Sequence, residues 1–214
     1  MKILKNISKI IFPNFKCLNC GKECFGAFCP ACKRLLPINN KIKIKNNNLI
    51  FSPFFYDGII KKLILDFKYN NKKYLFSPLA KIMADYFKLQ KIDINLITFI
   101  PMHDKKLKQR GYNQAEILAS EIGLNLNIPV LDCLKKDIPT PSQTELSYLE
   151  RKENIKNSIL PKSVNIQNSN ILLIDDVYTT GATTEEASRV LYKMGASKVV
   201  VLTLACTKSD EALN

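Results

Sequence analysis

Residues 170–184 read NILLIDDVYTTGATT, and the fold is decided here. The segment opens on an apolar run, Ile171–Leu172–Leu173–Ile174, of the length and type of a buried parallel strand. Two adjacent carboxylates, Asp175 and Asp176, follow at the strand's end. Then come Thr179, Thr180, Gly181, Ala182 and Thr183, small hydroxylic residues around one glycine. A helical pattern starts directly after, with Glu185, Glu186, Ala187, Val190, Leu191 and Met194. A strand that feeds a small-residue turn into a helix N-terminus is an anion-binding device. Its unpaired N–H groups point at the ligand, and the helix dipole favours a phosphate. Gly181 allows a positive φ or a close backbone approach. Acceptor-only carboxylates do not bind phosphate. They suit vicinal hydroxyls or a metal ion.

A phosphate site beside two carboxylates suggests a ribose-5-phosphate group. No G-x-x-x-x-G-K-[ST] is present, so this is not a Walker A loop. The segment resembles the signature of type I phosphoribosyltransferases, which bind phosphoribosyl pyrophosphate (PRPP). The resemblance implies Asp175 and Asp176 on the ribose hydroxyls, with Thr179, Thr180, Gly181, Ala182 and Thr183 around the 5-phosphate.

Outward from this segment, strand and helix patterns alternate. LIFSPFFY (49–56) reads as a strand, and Asp57 as the cap of a helix through Tyr69 with Ile60, Leu63, Ile64 and Phe67 on one face. A second helix is expected over 75–89, then a buried strand NLITFIP (95–101) that Pro101 stops. A basic loop and helix follow. Residues 129–134 suit another short strand, and 135–163 a mobile loop that could fold over the site. After the helix 184–194 and its stop at Gly195 comes a last strand, 197–205. Alternation of this kind argues a parallel sheet with ligand at the strands' carboxyl ends.

Five of seven cysteines lie in CLNCGKECFGAFCPAC (17–32). Cys17-x-x-Cys20 and Cys29-x-x-Cys32 have the spacing of a tetrahedral structural zinc site. Cys24 could replace Cys20 as a ligand, and disulfides in an exported protein are the competing reading. Cys133 and Cys206 sit in apolar surroundings and read as buried hydrophobes. The chain thus divides into an N-terminal helix and ribbon (1–37), a Lys/Asn-rich linker (38–48) and a main domain (49–214).

The 214 residues are 46% hydrophobic, enough for a folded core. No apolar run reaches membrane-span length, so no membrane insertion is expected. MKILKNISKIIF is too short for a signal peptide and lacks a cleavage site, so the expected location is cytoplasmic. The net charge of +13 comes mostly from lysine, and should attract polyanions, nucleic acid and PRPP included.

The ribbon, PMHDKKLKQRGYNQA, QTELSYLERKENI and LLIDDVYTTGATT together resemble the ComF/GntX family of competence-associated, phosphoribosyltransferase-like proteins. Arg110–Gly111–Tyr112–Asn113–Gln114 matches one family element. Gln143, Leu146, Glu150, Arg151 and Asn154 fall on another. The resemblance implies a type I phosphoribosyltransferase-like sheet flanked by helices, with a small zinc ribbon. It implies displacement of pyrophosphate from PRPP, with Mg2+ bridging diphosphate and ribose. Asp175, Asp176 and Arg110 would be the catalytic residues, and Lys105 and Arg110 would join the acids and the turn in binding PRPP. The pyrophosphate would lie near Lys105, Lys106, Lys108 and Arg110, while Arg151 and Lys152 would bring charge to the leaving group. His103, the sole histidine, is open between a proton shuttle, a phosphate contact and no role. The resemblance also implies a part in DNA uptake. The alternative is a non-catalytic protein that handles single-stranded DNA with PRPP as ligand or regulator. A helicase-like ATPase is a further partner the resemblance suggests.

Overall fold

A computed structural model of the chain describes residues 15–137 and 157–208. The expected N-terminal helix and the QTELSYLERKENI element, with Arg151 and Lys152, lie outside them.

The ribbon begins with two short antiparallel strands, β1 (Phe15–Lys16) and β2 (Glu23–Cys24). Gly21 takes φ +73° in the first knuckle, and its N–H donates to the Cys17 carbonyl. A four-residue helix, α1 (Pro30–Lys33), starts at the second knuckle, with Cys29 at its N-cap and Pro30 in its first turn. Proline at this point gives up an N–H that would have no partner in any case.

Residues 38–48, expected as linker, carry an edge strand. β3 (Lys43–Lys45) pairs antiparallel with β4 (Asn48–Phe51) through a turn at Asn46 and Asn47, both at positive φ. Asparagine tolerates that conformation, and two such residues make the tight turn whose twist suits a hairpin. The main sheet is therefore mixed. Its order is β3-β4-β10-β9-β6, with β6 at Leu96–Phe99, β9 at Asn170–Tyr178 and β10 at Lys198–Cys206. β4, β10, β9 and β6 run parallel, and a two-residue strand, β5 (Phe54–Phe55), extends the β4 side of β10. The apolar run 171–174 is fully buried, as are nearly all residues of β10, which requires cover on both faces of the sheet.

Helix α2 (Gly58–Tyr69) is capped by Asp57, which accepts from the Gly58 N–H, and buries Ile60, Leu63, Ile64 and Phe67 as the periodicity expects. Helices α3 (Phe76–Lys88) and α5 (Gln114–Leu126) pack on each other and on β10, β9 and β6. Between β6 and α5 lies the short basic helix α4 (Asp104–Arg110). Helix α6 (Ala182–Lys193) packs on β9, β10 and a small hairpin, β7 (Leu134–Lys136) with β8 (Ile159–Pro161). That hairpin gives both ends of the expected 135–163 loop regular structure. Around Val130 only a single bridge to Ile97 forms, so the short strand expected at 129–134 is reduced to that.

The connections place a crevice at the carboxyl end of β9. β9 passes through α6 to β10 on one side, while β6 lies on the other. A ligand site at such a point follows from the topology.

Candidate functional site

The acids lie within β9 rather than past its end. Asp175 is in register with Thr203 of β10. On the other side β6 pairs only as far as Phe99, opposite Ile174, and the Ile100 N–H adds one bond to the Ile174 carbonyl. Pro101 has no N–H and ends the ladder. From Asp175 onward, β9 has lost its neighbour on the β6 side, and a cavity opens there.

The cavity measures about 500 Å3 and has Asp175, Asp176, Lys68, Lys106, Arg110 and Lys136 in its wall. Tyr56, Tyr69, His103, Asn113 and Gln114 line it too. A second hollow of about 190 Å3 adjoins it, formed by the acids, Lys68, Thr179 and the turn Gly181–Thr184. Sequence reading placed the acids and the turn together, and they meet.

The turn is built for close approach. Gly181 takes φ +83°, and a Cβ there would fall 2.2 Å from the Tyr178 hydroxyl oxygen, so a larger residue would be strained and would have to displace that ring. α6 starts at Ala182, earlier than expected. Thr183 and Thr184 therefore stand in its first turn, where backbone N–H groups have no intrahelical acceptor. The Thr184 hydroxyl donates back to the Gly181 carbonyl at 2.9 Å. Thr180, expected at the phosphate, is not in the wall of either hollow. Its hydroxyl accepts from the Ala182 N–H and its carbonyl accepts from Lys45. It braces the turn.

The basic helix divides by face. His103, Lys106 and Arg110 recur at helical spacing and line the cavity, whereas Lys105 and Lys108 do not. Lys105, expected at the ligand, lines neither hollow. His103 caps α4, accepting from the Lys105 N–H at its Nδ1. The RGYNQ element is mostly scaffold. Gly111 takes φ +80° to end α4. The Tyr112 hydroxyl donates to the Phe67 carbonyl near the end of α2. Asn113 caps α5 and donates to the Ile100 carbonyl at 3.0 Å, tying α5 to the end of β6. Arg110 donates to Gln114 Oε1 at 2.9 Å and stacks 5.3 Å from the Tyr69 ring centre. The buried Gln114 Nε2 has no hydrogen-bond partner among the described residues.

Charge in the cavity is strained towards anion binding. Burial first, and then the neighbouring Asp176, push the Asp175 carboxyl up to about 7, against the pull of the Asp176 N–H, Lys68 and Lys136. Lys68 lies 2.7 Å from Asp176, which carries its pKa above the usual range although burial works the other way. Burial, and behind it Arg110 and Lys68, push Lys106 down. Burial and the nearby Lys106 do the same to Lys136. Neither makes an ion pair among the described residues. Crowded cations of this kind are relieved by a polyanion.

Lys68 and Lys136 were not singled out in the sequence, and Asn113 and Gln114 were named only as members of the RGYNQ element. Lys68 had one signal: it opens KYNNKKY (68–74), where Tyr69 and Tyr74 are 71% and 67% exposed among lysines. That is an aromatic and basic stretch. Lys136 had none, because its place depends on the β7–β8 pairing.

In the ribbon, the Sγ atoms of Cys17, Cys20, Cys29 and Cys32 all lie within 4.8 Å of one another. Asn19 Nδ2 donates to Cys32 Sγ at 3.3 Å. Four convergent thiols with knuckle backbone bonds could hold a metal ion. Cys24 stands apart from this cluster and turns its thiol to the Gly26 carbonyl. All seven cysteines are free thiols, and Cys133 and Cys206 are buried.

No protein-family model matches the chain. Competence protein F of Haemophilus influenzae is 29% identical over 199 residues, 88% of this chain and 83% of that protein. The chain is similar to competence protein F over most of both lengths. Competence protein ComFC of Bacillus subtilis is 25% identical over 198 residues, 87% of this chain and 80% of its own length. The DNA utilization protein YhgH of Escherichia coli is 30% identical over 115 residues, about half of each chain (52% and 49%). Among solved structures, a hypoxanthine-guanine phosphoribosyltransferase of Bacillus anthracis superposes with TM-score 0.44 and 13% identity, over 65% of this chain and 73% of that one. A purine phosphoribosyltransferase of Pyrococcus horikoshii gives TM-score 0.42 and 14% identity, over 66% and 79%. No helix among the described residues is long and apolar enough to cross a membrane.

Proposed function

We propose that the protein binds PRPP at the carboxyl end of β9 and acts in the handling of incoming DNA. The observation that carries the reading is the junction of two hollows. A glycine-centred turn at a helix N-terminus meets two carboxylates, and a cation-lined cavity continues beyond them. The turn suits the 5-phosphate through N–H donors, the acids suit the ribose hydroxyls, and Lys106, Arg110 and Lys136 suit the diphosphate. If turnover occurs, those cations stabilise the departing pyrophosphate. The phosphoribosyltransferase resemblance would bring Mg2+ with the ligand, but here the Lys68 ammonium already holds Asp176 at 2.7 Å. The ribbon's four thiolates fit one tetrahedral zinc with no open position, a structural ion. The compartment we assign is the cytoplasm.

The names of the relatives support a role in competence and DNA use. A second reading, a non-catalytic protein for single-stranded DNA, is favoured by the exposed tyrosines of KYNNKKY, of which Tyr69 lies against Arg110. Bases stack on such rings while cations track the backbone. The deciding experiment is calorimetric titration with PRPP, then a pyrophosphate-release assay with and without single-stranded DNA. Binding with release supports the enzyme. Binding without release in either condition supports the second reading, and no binding removes both uses of the site.

A further inference from the structure

Lys68 belongs to neither the phosphate turn nor the basic helix. It comes from the last turn of α2. Among the residues lining the two hollows, it is the only cation common to both. Its Nζ lies 2.7 Å from Asp176, and its side chain is only 21% exposed. The position is fixed from behind. The Tyr112 hydroxyl is bonded to the carbonyl of Phe67, the residue before it, and Phe67 is fully buried. A positive charge is thus built in where the ribose acids meet the diphosphate end of the cavity.

A divalent ion beside the acids would meet that ammonium at close range, and like charges repel. Mg2+ also demands regular octahedral geometry and gives up water reluctantly. Lys68 has neither difficulty. An ammonium has three N–H donors, and the bond to Asp176 uses one. We propose that Lys68 takes the place of the metal, staying on Asp176 and donating to the ligand's diphosphate, so that this site binds diphosphate without a divalent ion. Lys106, Arg110 and Lys136, which line the same cavity, complete the cradle. The inference rests on the reading of this cavity as a PRPP site and names Lys68 as a diphosphate-binding residue there.

The test is calorimetry on the full chain with inorganic pyrophosphate and with PRPP. Each is titrated in buffer stripped of divalent ions over a chelating resin, then with Mg2+ added. Wild-type protein is expected to bind both ligands in the stripped buffer. Lys68→Met is expected to lose about tenfold or more there, the loss of one charge-assisted contact, and to regain part of it with Mg2+. Lys68→Arg is expected to keep binding in stripped buffer. Should Lys68→Met fail to fold with Asp176 left unpaired, the double change Lys68→Met with Asp176→Asn gives the same readout on inorganic pyrophosphate. Wild-type binding only with Mg2+, or a Lys68→Met protein equal to wild type in stripped buffer, overturns the metal-free site and leaves the PRPP reading standing. No binding of either ligand in either buffer overturns both.

Discussion

Replacing Asp175 by Asn sets stability against function, and the structure gives the size of the conflict. The Asp175 carboxyl is pushed up to about 7 in the folded protein, whereas an aspartate in an unfolded chain sits near about 3.9. Between those values the folded state holds a proton that the unfolded state has released. Stability therefore falls as pH rises through this window and levels off above about 7. Over the whole window this corresponds to a few kcal/mol, most of it between pH 5 and pH 8. Asp175 keeps some solvent contact, and screening reduces the pH 5 to 8 part to about 1 kcal/mol. Asparagine carries no proton and lacks this slope. Urea unfolding should find the variant gaining about 1 kcal/mol on wild type between pH 5 and pH 8. The same variant should bind PRPP more weakly by about 1.5–3 kcal/mol, since ribose hydroxyls lose a charged acceptor. Stabilities that run parallel in pH, or a variant that loses ground at pH 8, would refute the strain argument. A variant that gains stability and keeps full PRPP affinity would refute the ribose assignment.

Lys106→Ala should weaken pyrophosphate binding by about 1.5–3 kcal/mol and Lys105→Ala by much less, because only the first faces the cavity; equal losses in calorimetry would mean general attraction. Gly181→Ala should cost more than about 1 kcal/mol in urea unfolding and abolish PRPP binding, since φ is +83° and the Tyr178 hydroxyl occupies the space; an unaffected protein would contradict the turn. Tyr112→Phe should cost about 1–2 kcal/mol by leaving the Phe67 carbonyl unpaired, and an unchanged unfolding midpoint would show that the bond carries nothing. Elemental analysis should find about one zinc per chain, lost in Cys20→Ser and kept in Cys24→Ser; the reverse pattern would move the ligand set.

The parts legible in the sequence were those whose chemistry is local. The apolar run, paired acids and glycine of 170–184 specify a strand, a turn and a helix within one short segment, and the cysteine spacing specifies its own cluster. Helical faces were legible in α2, whose apolar stripe marks them, but not in the basic α4, where the same spacing separates Lys106 and Arg110 from Lys105. Residues brought in by tertiary pairing left little trace. Lys136 reaches the cavity because β7 pairs with β8 more than twenty positions away along the chain. Thr180 looked like a phosphate ligand by type, yet the geometry of a positive-φ glycine turns its hydroxyl back on the Ala182 N–H. The linker failed by composition: lysine and asparagine read as solvated chain, while two consecutive asparagines also suit a hairpin turn.

That edge strand gives the N-terminal region a physical connection to the site. Lys45 of β3 donates to the Thr180 carbonyl and pairs with Glu185 in the first turn of α6. It thus grips the turn through one backbone carbonyl and one carboxylate. The chain before it is held to the sheet as well: the Phe55 N–H donates to the Pro37 carbonyl, and the Asn39 N–H to the Pro53 carbonyl. A ribbon fastened through such contacts is not an independent appendage on a loose tether. A metal bound by the four thiols would act on a segment bonded, within a few residues, to β5 and then to the turn at Gly181. Coupling between ribbon and ligand would require two arrangements of β3, each biased by one site. The Lys45 contacts supply one arrangement, in which the turn is closed around its helix N-terminus. In Lys45→Met the turn loses both contacts while every lining residue remains, so ligand affinity in that variant measures how much of the site's order comes from the edge strand.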